Sequence, residues 1–169
     1  MSKTFFISDT HWGHRNIIRF SNRPFDSIED MNQEMIRRWN SKVGYDDTVW
    51  HLGDFAISNT KLVKYLLTIL NGNIHLCKGN HEKSLLKPAH CRDMLKEVVD
   101  YKELTIDGTL VCLMHYPIET WNKKHHGSIH LHGHVHVDSE RVVNTIPNRY
   151  NVNCEFWNYE PVTLEEIIT

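Results

Sequence analysis

The segment SIHLHGHVHV, residues 128–137, places histidines at four alternate positions, His130, His132, His134 and His136. In an extended strand, alternate residues point to the same face, so the segment would line one face with imidazole rings. A polar surface strand would explain this pattern, and so would a metal site, because neutral imidazole is the commonest metal ligand. The chain has 13 histidines in 169 residues, so the other polar residues must decide between the two explanations.

Further metal-ligating residue types occur where predicted strands end. Short apolar runs at 3–8, 47–54 and 73–81 predict buried strands, and another strand is expected at 129–132. Residues at or directly after the strand ends are Asp9 and His11, Gly53-Asp54, Gly79-Asn80-His81, His115, and Gly133-His134-Val135-His136. Each group alone is a common turn, but the ends of neighbouring parallel strands meet at one sheet edge. The groups together therefore predict a metal site at that edge.

The remaining elements indicate how these ends are positioned. Residues 27–44 predict a helix that starts at Ser27, and residues 59–72 predict a second one. A third helical region is expected at 82–97, where Pro88 would start a helix. Asp107-Gly108 predicts the turn of a hairpin at 101–117, and a last strand is expected at about 149–156. Strands and helices that alternate first and hairpins that follow predict an α/β fold with a partly parallel sheet.

Composition limits the class of protein. The net charge is −2, the hydrophobic content is 40% and the charged content is 24%, as in a single soluble domain spanning residues 1–169. No apolar run approaches the roughly 20 residues of a membrane span, and the N-terminus does not resemble a signal peptide. The four scattered cysteines are expected to be reduced. We therefore expect a cytoplasmic protein with no membrane partner and no stable nucleic-acid complex.

The motif series resembles that of the calcineurin-like metallophosphoesterase superfamily, in particular its small bacterial and phage-type members. Its motifs D-x-H, G-D, G-N-H-[DE], H and G-H-x-H correspond here to Asp9-Thr10-His11, Gly53-Asp54, Gly79-Asn80-His81-Glu82, His115 and Gly133-His134-Val135-His136. The resemblance implies a four-layer α-β-β-α sandwich of mixed sheets. It also implies that the chain is a hydrolase of phosphate esters.

The resemblance further implies two divalent metal ions. Asp9, His11 and His136 would hold one ion. Asn80, His115 and His134 would hold the second, and Asp54 would bridge both. This mixture of imidazole, carboxylate and amide ligands suits borderline ions, with Mn²⁺ expected first and Fe, Zn or Ni as alternatives. His130 and His132, which lie on the strand itself, are expected to be sheet residues or to support the ligands.

In such an enzyme a hydroxide that bridges the metals attacks phosphorus in line with the leaving group. His81 would be the catalytic acid. Glu82 would orient the His81 ring or raise its pKa, or it would be a solvated carboxylate at a helix start.

Residues around this site suggest how a substrate could be bound. Trp12 or His14 could stack on a base, and Arg15 could hold a second phosphate. The alternative is a basic exposed face with a core tryptophan. Lys124, in the polar segment 119–128, could contact phosphate or could be a solvated loop charge.

We favour a phosphodiesterase that acts on a small phosphodiester, a nucleotide or a nucleic-acid-derived substrate. A phosphomonoesterase or a nucleotide pyrophosphohydrolase would use the same centre. Protein serine/threonine phosphatases of the superfamily carry G-D-x-x-D-R-G, whereas Gly53-Asp54 is followed here by FAISN. Non-catalytic scaffold relatives lack the histidine of G-N-H, and His81 is present. A closed single-metal structural site needs only about four ligands, fewer than the seven candidates.

Overall fold

The computed structural model describes residues 2–136 and 146–169. The strands are β1 Thr4–Ile7, β2 Thr48–His51, β3 Asn73–Cys77, β4 Glu97–Val99, β5 Tyr101–Ile106, β6 Thr109–Met114, β7 Ile129–His132, β8 Arg149–Asn151 and β9 Val162–Thr163. The helices are α1 Arg15–Phe20, α2 Ile28–Lys42, α3 Thr60–Ile69, α4 Lys83–Leu86, α5 Ala89–Arg92 and α6 Leu164–Ile168. Short 3₁₀ helices span Lys124–His126 and Cys154–Phe156. No helix within the described ranges is long and apolar enough to cross a bilayer.

The strands form two mixed sheets. The first has the order β4-β3-β2-β1-β9, in which β9 runs antiparallel to β1 and the other pairs are parallel. The second has the order β5-β6-β7-β8, with one antiparallel pair followed by two parallel pairs. This architecture confirms the predicted α/β class of metallophosphoesterase type. Because β1, β2 and β3 are parallel, their carboxyl ends lie at the same edge.

Strand β1 shows how the core is divided between the two faces of the first sheet. Phe5 and Ile7 belong to a buried cluster with α2 and α3, whereas Phe6 belongs to a cluster with Leu113 and Leu131 of the second sheet. Side chains that alternate along a strand reach opposite faces. The first sheet therefore packs helices on one face and the second sheet on the other.

Helix α2 begins and packs as its sequence predicts. Ser27 caps it by accepting the backbone N–H of Asp30 at 3.0 Å. Its apolar residues at helical spacing, Ile28, Met31, Met35 and Trp39, form one buried stripe. The long helix thereby anchors the first sheet without contributing a residue to the predicted site.

The region 82–97 differs from its prediction as one helical stretch. It contains two short helices, α4 and α5, followed by strand β4 at Glu97–Val99. Pro88 precedes α5 as its N-cap. Strand β4 was missed because its three residues show no clear alternation and are held by parallel pairing with β3. By contrast, the prediction of a hairpin turn at Asp107-Gly108 is confirmed. Both residues have positive φ, 47° and 81°, as a tight hairpin turn requires.

Candidate metal centre

Backbone hydrogen bonds connect the strand ends that carry the predicted ligands. Asp9 N–H donates to Gly53 O at 2.9 Å, and His11 N–H donates to Asp54 O at 3.1 Å. In the second sheet, Gly133 N–H donates to His115 O at 2.9 Å. The motifs therefore meet, but at the facing ends of two sheets rather than at one edge of a single sheet, and His134 N–H, which donates to Asp9 Oδ2, links the two groups.

Four candidate ligands have left-handed backbone conformations. The φ angles are 54° for Asp9, 50° for His11, 56° for Asp54 and 69° for His134. This region is unfavourable for residues with a Cβ atom, by roughly 1–2 kcal/mol each. Such strain persists where the surrounding structure enforces it, and it concentrates at functional sites. Here the turns aim the side chains into the space between the strand ends.

Two motif glycines allow the backbone to approach these side chains closely. A Cβ atom at Gly133 would collide with Asp9 Oδ2 and Ser8 Oγ, and one at Gly79 would collide with Asp54 Oδ1 and the Asp54 backbone nitrogen. Any larger residue would displace the carboxylates. Glycine is therefore needed at both turns because of space.

The first candidate ligand group consists of Asp9, His11 and His136. Asp9 Oδ1 lies 4.0 Å from His11 Nε2 and 4.0 Å from His136 Nε2. Although His11 is only 3% exposed, neither of its ring nitrogens has a hydrogen-bond partner among the described residues. A buried imidazole without partners is unfavourable unless something else binds it, and a metal ion fits that requirement.

The second group surrounds Asp54. Asp54 Oδ1 lies 3.8 Å from His115 Nε2, whereas Asp54 Oδ2 lies 3.7 Å from His11 Nε2. His115 Nδ1–H donates to Leu52 O at 2.7 Å, so Nε2 of the neutral ring carries the free lone pair. That nitrogen faces Asn80 Oδ1 at 3.1 Å. Two electron-pair donors face each other here, an arrangement that a shared cation stabilises.

His134 completes this side of the centre. Its ring centroid lies 5.1 Å from that of His115. Its backbone N–H donates to Asp9 Oδ2 at 2.9 Å, which connects the two ligand groups. All seven predicted ligands therefore lie around one space at the edge of the sheets.

A buried ion pair supports His136, and its carboxylate was missed by the sequence analysis. Arg23 Nη2 lies 2.9 Å from Glu155 Oε1, with both side chains fully buried. The same oxygen accepts Nδ1–H of His136 at 2.8 Å. Histidine ligands commonly donate their second ring nitrogen to a carboxylate in this way. No sequence signal distinguishes Glu155, and Arg23 reads only as one cation of a basic segment.

Burial shifts the pKa values of the candidate ligands. A metal ion would reverse the shift of the carboxylate, and it would bind the neutral imidazole that burial favours. It raises the pKa of Asp9 to about 7 and lowers that of His11 to about 2. A neutral imidazole keeps the lone pair that a metal requires, and a nearby cation favours the ionised carboxylate. Burial lowers the pKa of His136, but the hydrogen bond to Glu155 and the charges of Glu155 and Asp9 together outweigh burial and raise it overall, so a metal ion at this ring would displace a proton. The donor set and its electrostatics therefore fit a divalent cation.

His81 and Glu82 differ in their surroundings. The His81 side chain is exposed, and its backbone N–H donates to Asp54 Oδ1 at 2.9 Å. Glu82 is buried, and its Oε1 accepts backbone N–H groups of Asp54 at 2.5 Å and Gly79 at 3.2 Å. Burial raises the pKa of Glu82 to about 7. The carboxylate connects the Asp54 and Gly79 turns. Because it is buried, the expectation of a solvated carboxylate is wrong, although Glu82 does stand at a helix start as the N-cap of α4. Its role toward the His81 ring stays a prediction.

The predicted substrate-binding residues occupy different environments. Trp12 is fully buried and packs near Phe55, with ring centroids 6.4 Å apart. The prediction that it stacks on a base is therefore wrong, and the alternative of a core tryptophan is correct. His14 lies beside the centre, with its ring centroid 5.7 Å from that of His11. Arg15 is exposed and lies 3.9 Å from Glu29.

Lys124 interacts with its own loop. Its Nζ donates to Glu119 O at 2.5 Å and lies 5.0 Å from the centroid of the Trp121 ring. The side chain is thereby engaged locally, which favours the loop-charge interpretation over a phosphate contact.

His130 and His132 are sheet residues. Both are fully buried. His130 Nδ1–H donates to Cys112 O at 3.0 Å, and His132 Nδ1–H donates to Gly133 O at 2.8 Å. Of the four alternating histidines, His130 and His132 are therefore sheet residues, and only His134 and His136 lie at the candidate metal centre.

The comparison with protein families identifies the chain. Residues 3–153 match the model of the calcineurin-like phosphoesterase superfamily domain. The chain belongs to this superfamily. The enzymes of this superfamily are metal-dependent hydrolases of phosphate esters, in agreement with the ligand groups described above.

Two curated proteins are similar over most of the chain. An uncharacterized protein of Methanocaldococcus jannaschii, MJ1445, is 36% identical over 173 residues, which cover 99% of this chain and 90% of the relative. The gene 66 protein of Mycobacterium phage L5 is 31% identical over 163 residues, which cover 80% of this chain and 78% of that protein.

Two solved structures share the fold. A protein of unknown function from Aquifex aeolicus, AQ665, superposes with a TM-score of 0.76 at 27% identity and covers 98% of this chain and 97% of its own. A structure described as a novel archaeal phosphodiesterase superposes with a TM-score of 0.51 at 22% identity, covering 89% of this chain and 81% of its own.

Proposed function

We propose that this protein is a dinuclear metal-dependent phosphodiesterase, for which a small phosphodiester or a nucleotide is the substrate. One observation carries the proposal: the two carboxylate oxygens of Asp54 face different imidazoles, His11 at 3.7 Å and His115 at 3.8 Å. A carboxylate in that position can bridge two ions. The space around it is lined by enough nitrogen and oxygen donors for both.

In this proposal, Asp9, His11 and His136 hold one ion and Asn80, His115 and His134 hold the other. Mn²⁺ is the first candidate, because imidazole together with carboxylate and amide oxygens suits borderline divalent ions. The bound ions would supply the Lewis acidity that activates water and binds phosphate oxygens.

His81 is the residue placed to serve the leaving group. Its side chain is exposed, and its ring centroid lies 5.8 Å from that of His11. The bond from its backbone to Asp54 fixes the chain at this point. An imidazolium here can donate its ring proton to the oxygen that leaves phosphorus, which lowers the barrier for poor leaving groups.

The engagement of the buried arginine beside the centre favours a diester over a monoester. Arg23, the guanidinium that contacts the ligand backbone, is buried and donates to Asp9 O, Thr10 O and Glu155. Because its N–H groups are engaged in these hydrogen bonds, the guanidinium is not available to bind the second negative charge of a monoester. A diester carries only one charge on its phosphate, and the metal ions suffice for it.

The test is hydrolysis of bis-p-nitrophenyl phosphate by metal-stripped protein before and after Mn²⁺ is added, with p-nitrophenyl phosphate in parallel. We expect activity only with metal and a higher rate on the diester. Asp54→Ala should remove activity, whereas Asp46→Ala, an exposed aspartate outside the centre, should retain it. Activity that needs no metal, or a faster monoester reaction, contradicts the proposal.

A further inference from the structure

A cavity of about 610 Å³ opens beside the metal centre. It lies between the segment that follows Asp54 and helix α4, and Asn80 and His81 form part of its lining. Its volume falls within the range of roughly 300–1,000 Å³ that is typical of small-molecule sites. A ligand of nucleotide size could therefore occupy it while its phosphate ester reaches the centre.

The side chains that line the cavity carry a net positive charge. Lys83 and Lys87 both line the cavity, four residues apart along the chain, and both are exposed. No carboxylate occurs among the described residues that line it. The adjacent Glu82 is buried and bound to backbone amides. The cavity is therefore cationic and would attract an anionic group in addition to the reacting phosphate.

The lining also has an apolar part. Ile57 and Pro88 line the cavity together with the lysines. Apolar side chains beside a pair of cations suit a group that combines a ring system with a phosphate, since the rings gain from leaving water and the phosphate gains from the charge.

The position relative to His81 determines which part of the substrate enters. In the proposed reaction, water forms a new bond to phosphorus and releases a proton to solvent, the bond from phosphorus to the leaving oxygen breaks, and that oxygen takes the proton of His81, which solvent then restores. Because His81 borders the cavity, the group attached to the leaving oxygen extends into it. Lys83 and Lys87 line the same cavity, so they lie where they can contact the leaving group.

We propose that this cavity binds the leaving group of the substrate and that this group is a nucleotide carrying a second phosphate, held by Lys83 and Lys87. This inference rests on the proposed phosphodiesterase function. The favoured substrate is then a short oligonucleotide with a terminal phosphate, and one product is a nucleotide with a newly freed hydroxyl group.

The experiment compares three dinucleotides with the Mn²⁺-loaded protein: adenylyl-(3′→5′)-adenosine without a terminal phosphate, with a 5′-phosphate and with a 3′-phosphate. We expect kcat/KM to be about tenfold or more higher for one phosphorylated form than for the unphosphorylated one, as a charge-assisted contact would give. In Lys83→Ala/Lys87→Ala, the ratio of the two kcat/KM values should fall to about one. A general loss of activity cancels in this ratio.

The matched control is Lys61→Ala/Lys64→Ala, which removes two exposed lysines of α3 that do not line the cavity. It should retain the preference. Equal rates on all three dinucleotides, no cleavage of any, or a preference that survives loss of Lys83 and Lys87 overturns the inference. Wild-type activity on bis-p-nitrophenyl phosphate in the same assay separates this failure from failure of the proposed function.

Discussion

Arg23 and Glu155, which are 132 residues apart in the chain, form a fully buried ion pair at 2.9 Å. Glu155 Oε1 also accepts the Nδ1–H of His136 at 2.8 Å, and Arg23 donates to the backbone carbonyls of Asp9 and Thr10. Buried charges are tolerated only when they are paired and hydrogen-bonded. This pair is both, and it connects the Asp9 turn to the ring of a candidate metal ligand.

Glu155→Gln should weaken metal binding without removing any ligand. The carboxamide keeps an acceptor for His136 but loses the charge that holds the ring and balances Arg23. Loss of such a supporting partner typically costs about 10- to 100-fold in metal affinity. Mn²⁺ titration of the metal-free variant, with a thermal melt to verify folding, measures it. Glu160→Gln is the control, since Glu160 pairs with Lys42. Equal affinity in Glu155→Gln and wild type would show that the ion pair is purely structural.

Gly133→Ala should abolish metal binding. The new methyl group would collide with Asp9 Oδ2 and Ser8 Oγ, which displaces a ligand. Gly127→Ala is the comparison, because its Cβ would meet nothing within 4 Å although its φ is +85°. That variant should lose about 1 kcal/mol of stability through backbone strain alone and retain its metal. Similar metal affinities for the two variants would contradict the steric argument.

His81→Ala should retain the fold and the metals but lose turnover selectively. We expect about a 100-fold lower kcat on an unactivated alkyl diester and a much smaller loss on a nitrophenyl ester, whose leaving group needs no proton. His126→Ala, at an exposed histidine of the 124–126 turn, should match the wild type on both. Full turnover of the alkyl diester by His81→Ala removes the acid role.

The positions of the candidate metal ligands could be predicted from the sequence because these residues follow strand ends, and the order of the strands along the chain determines which ends lie together. Asp9, Asp54 and His115 each come at or directly after an apolar run. Parallel pairing of β1 with β2 brings Asp9 and Asp54 together, and packing of the two sheets adds His115. The residues that were wrongly interpreted depend on side-chain direction. Trp12 follows a ligand but points into the core, and Glu82 faces backbone amides. Nothing in chain order determines these directions.

The ion pair between Arg23 and Glu155 could be predicted from chain order even less. Arg23 and Glu155 meet across 132 residues, and each looks like an ordinary surface residue in its own segment. Only the tertiary fold brings them together. Strand β4 was missed for a related reason, since its three residues form a strand through pairing with β3.

The buried His51 predicts how stability depends on pH. Its Nε2 lies 2.9 Å from the Thr10 hydroxyl, and burial lowers its pKa to about 3. Between pH of about 6.5 and 3, the unfolded chain therefore binds a proton that the folded protein excludes, so the free energy of unfolding falls as pH falls. For one such histidine the slope is at most about 1.4 kcal/mol per pH unit.

His51→Gln tests this contribution, because the carboxamide can still donate to Thr10 but does not titrate. We expect urea unfolding of metal-free wild type to lose about 1 kcal/mol more than the variant between about pH 7.5 and about pH 5.5. The difference between the proteins isolates His51 from other titrating groups. Identical pH dependence would mean that His51 accepts a proton in the folded state.

The most direct test of the account is the electron paramagnetic resonance spectrum of protein loaded with Mn²⁺, recorded together with the metal content of the same sample. The two oxygens of Asp54 face His11 and His115, so we predict two ions per chain and the spectrum of an exchange-coupled pair. Asp54→Ala should lose both ions. One ion per chain, or the spectrum of isolated uncoupled Mn²⁺, would contradict a centre bridged by Asp54.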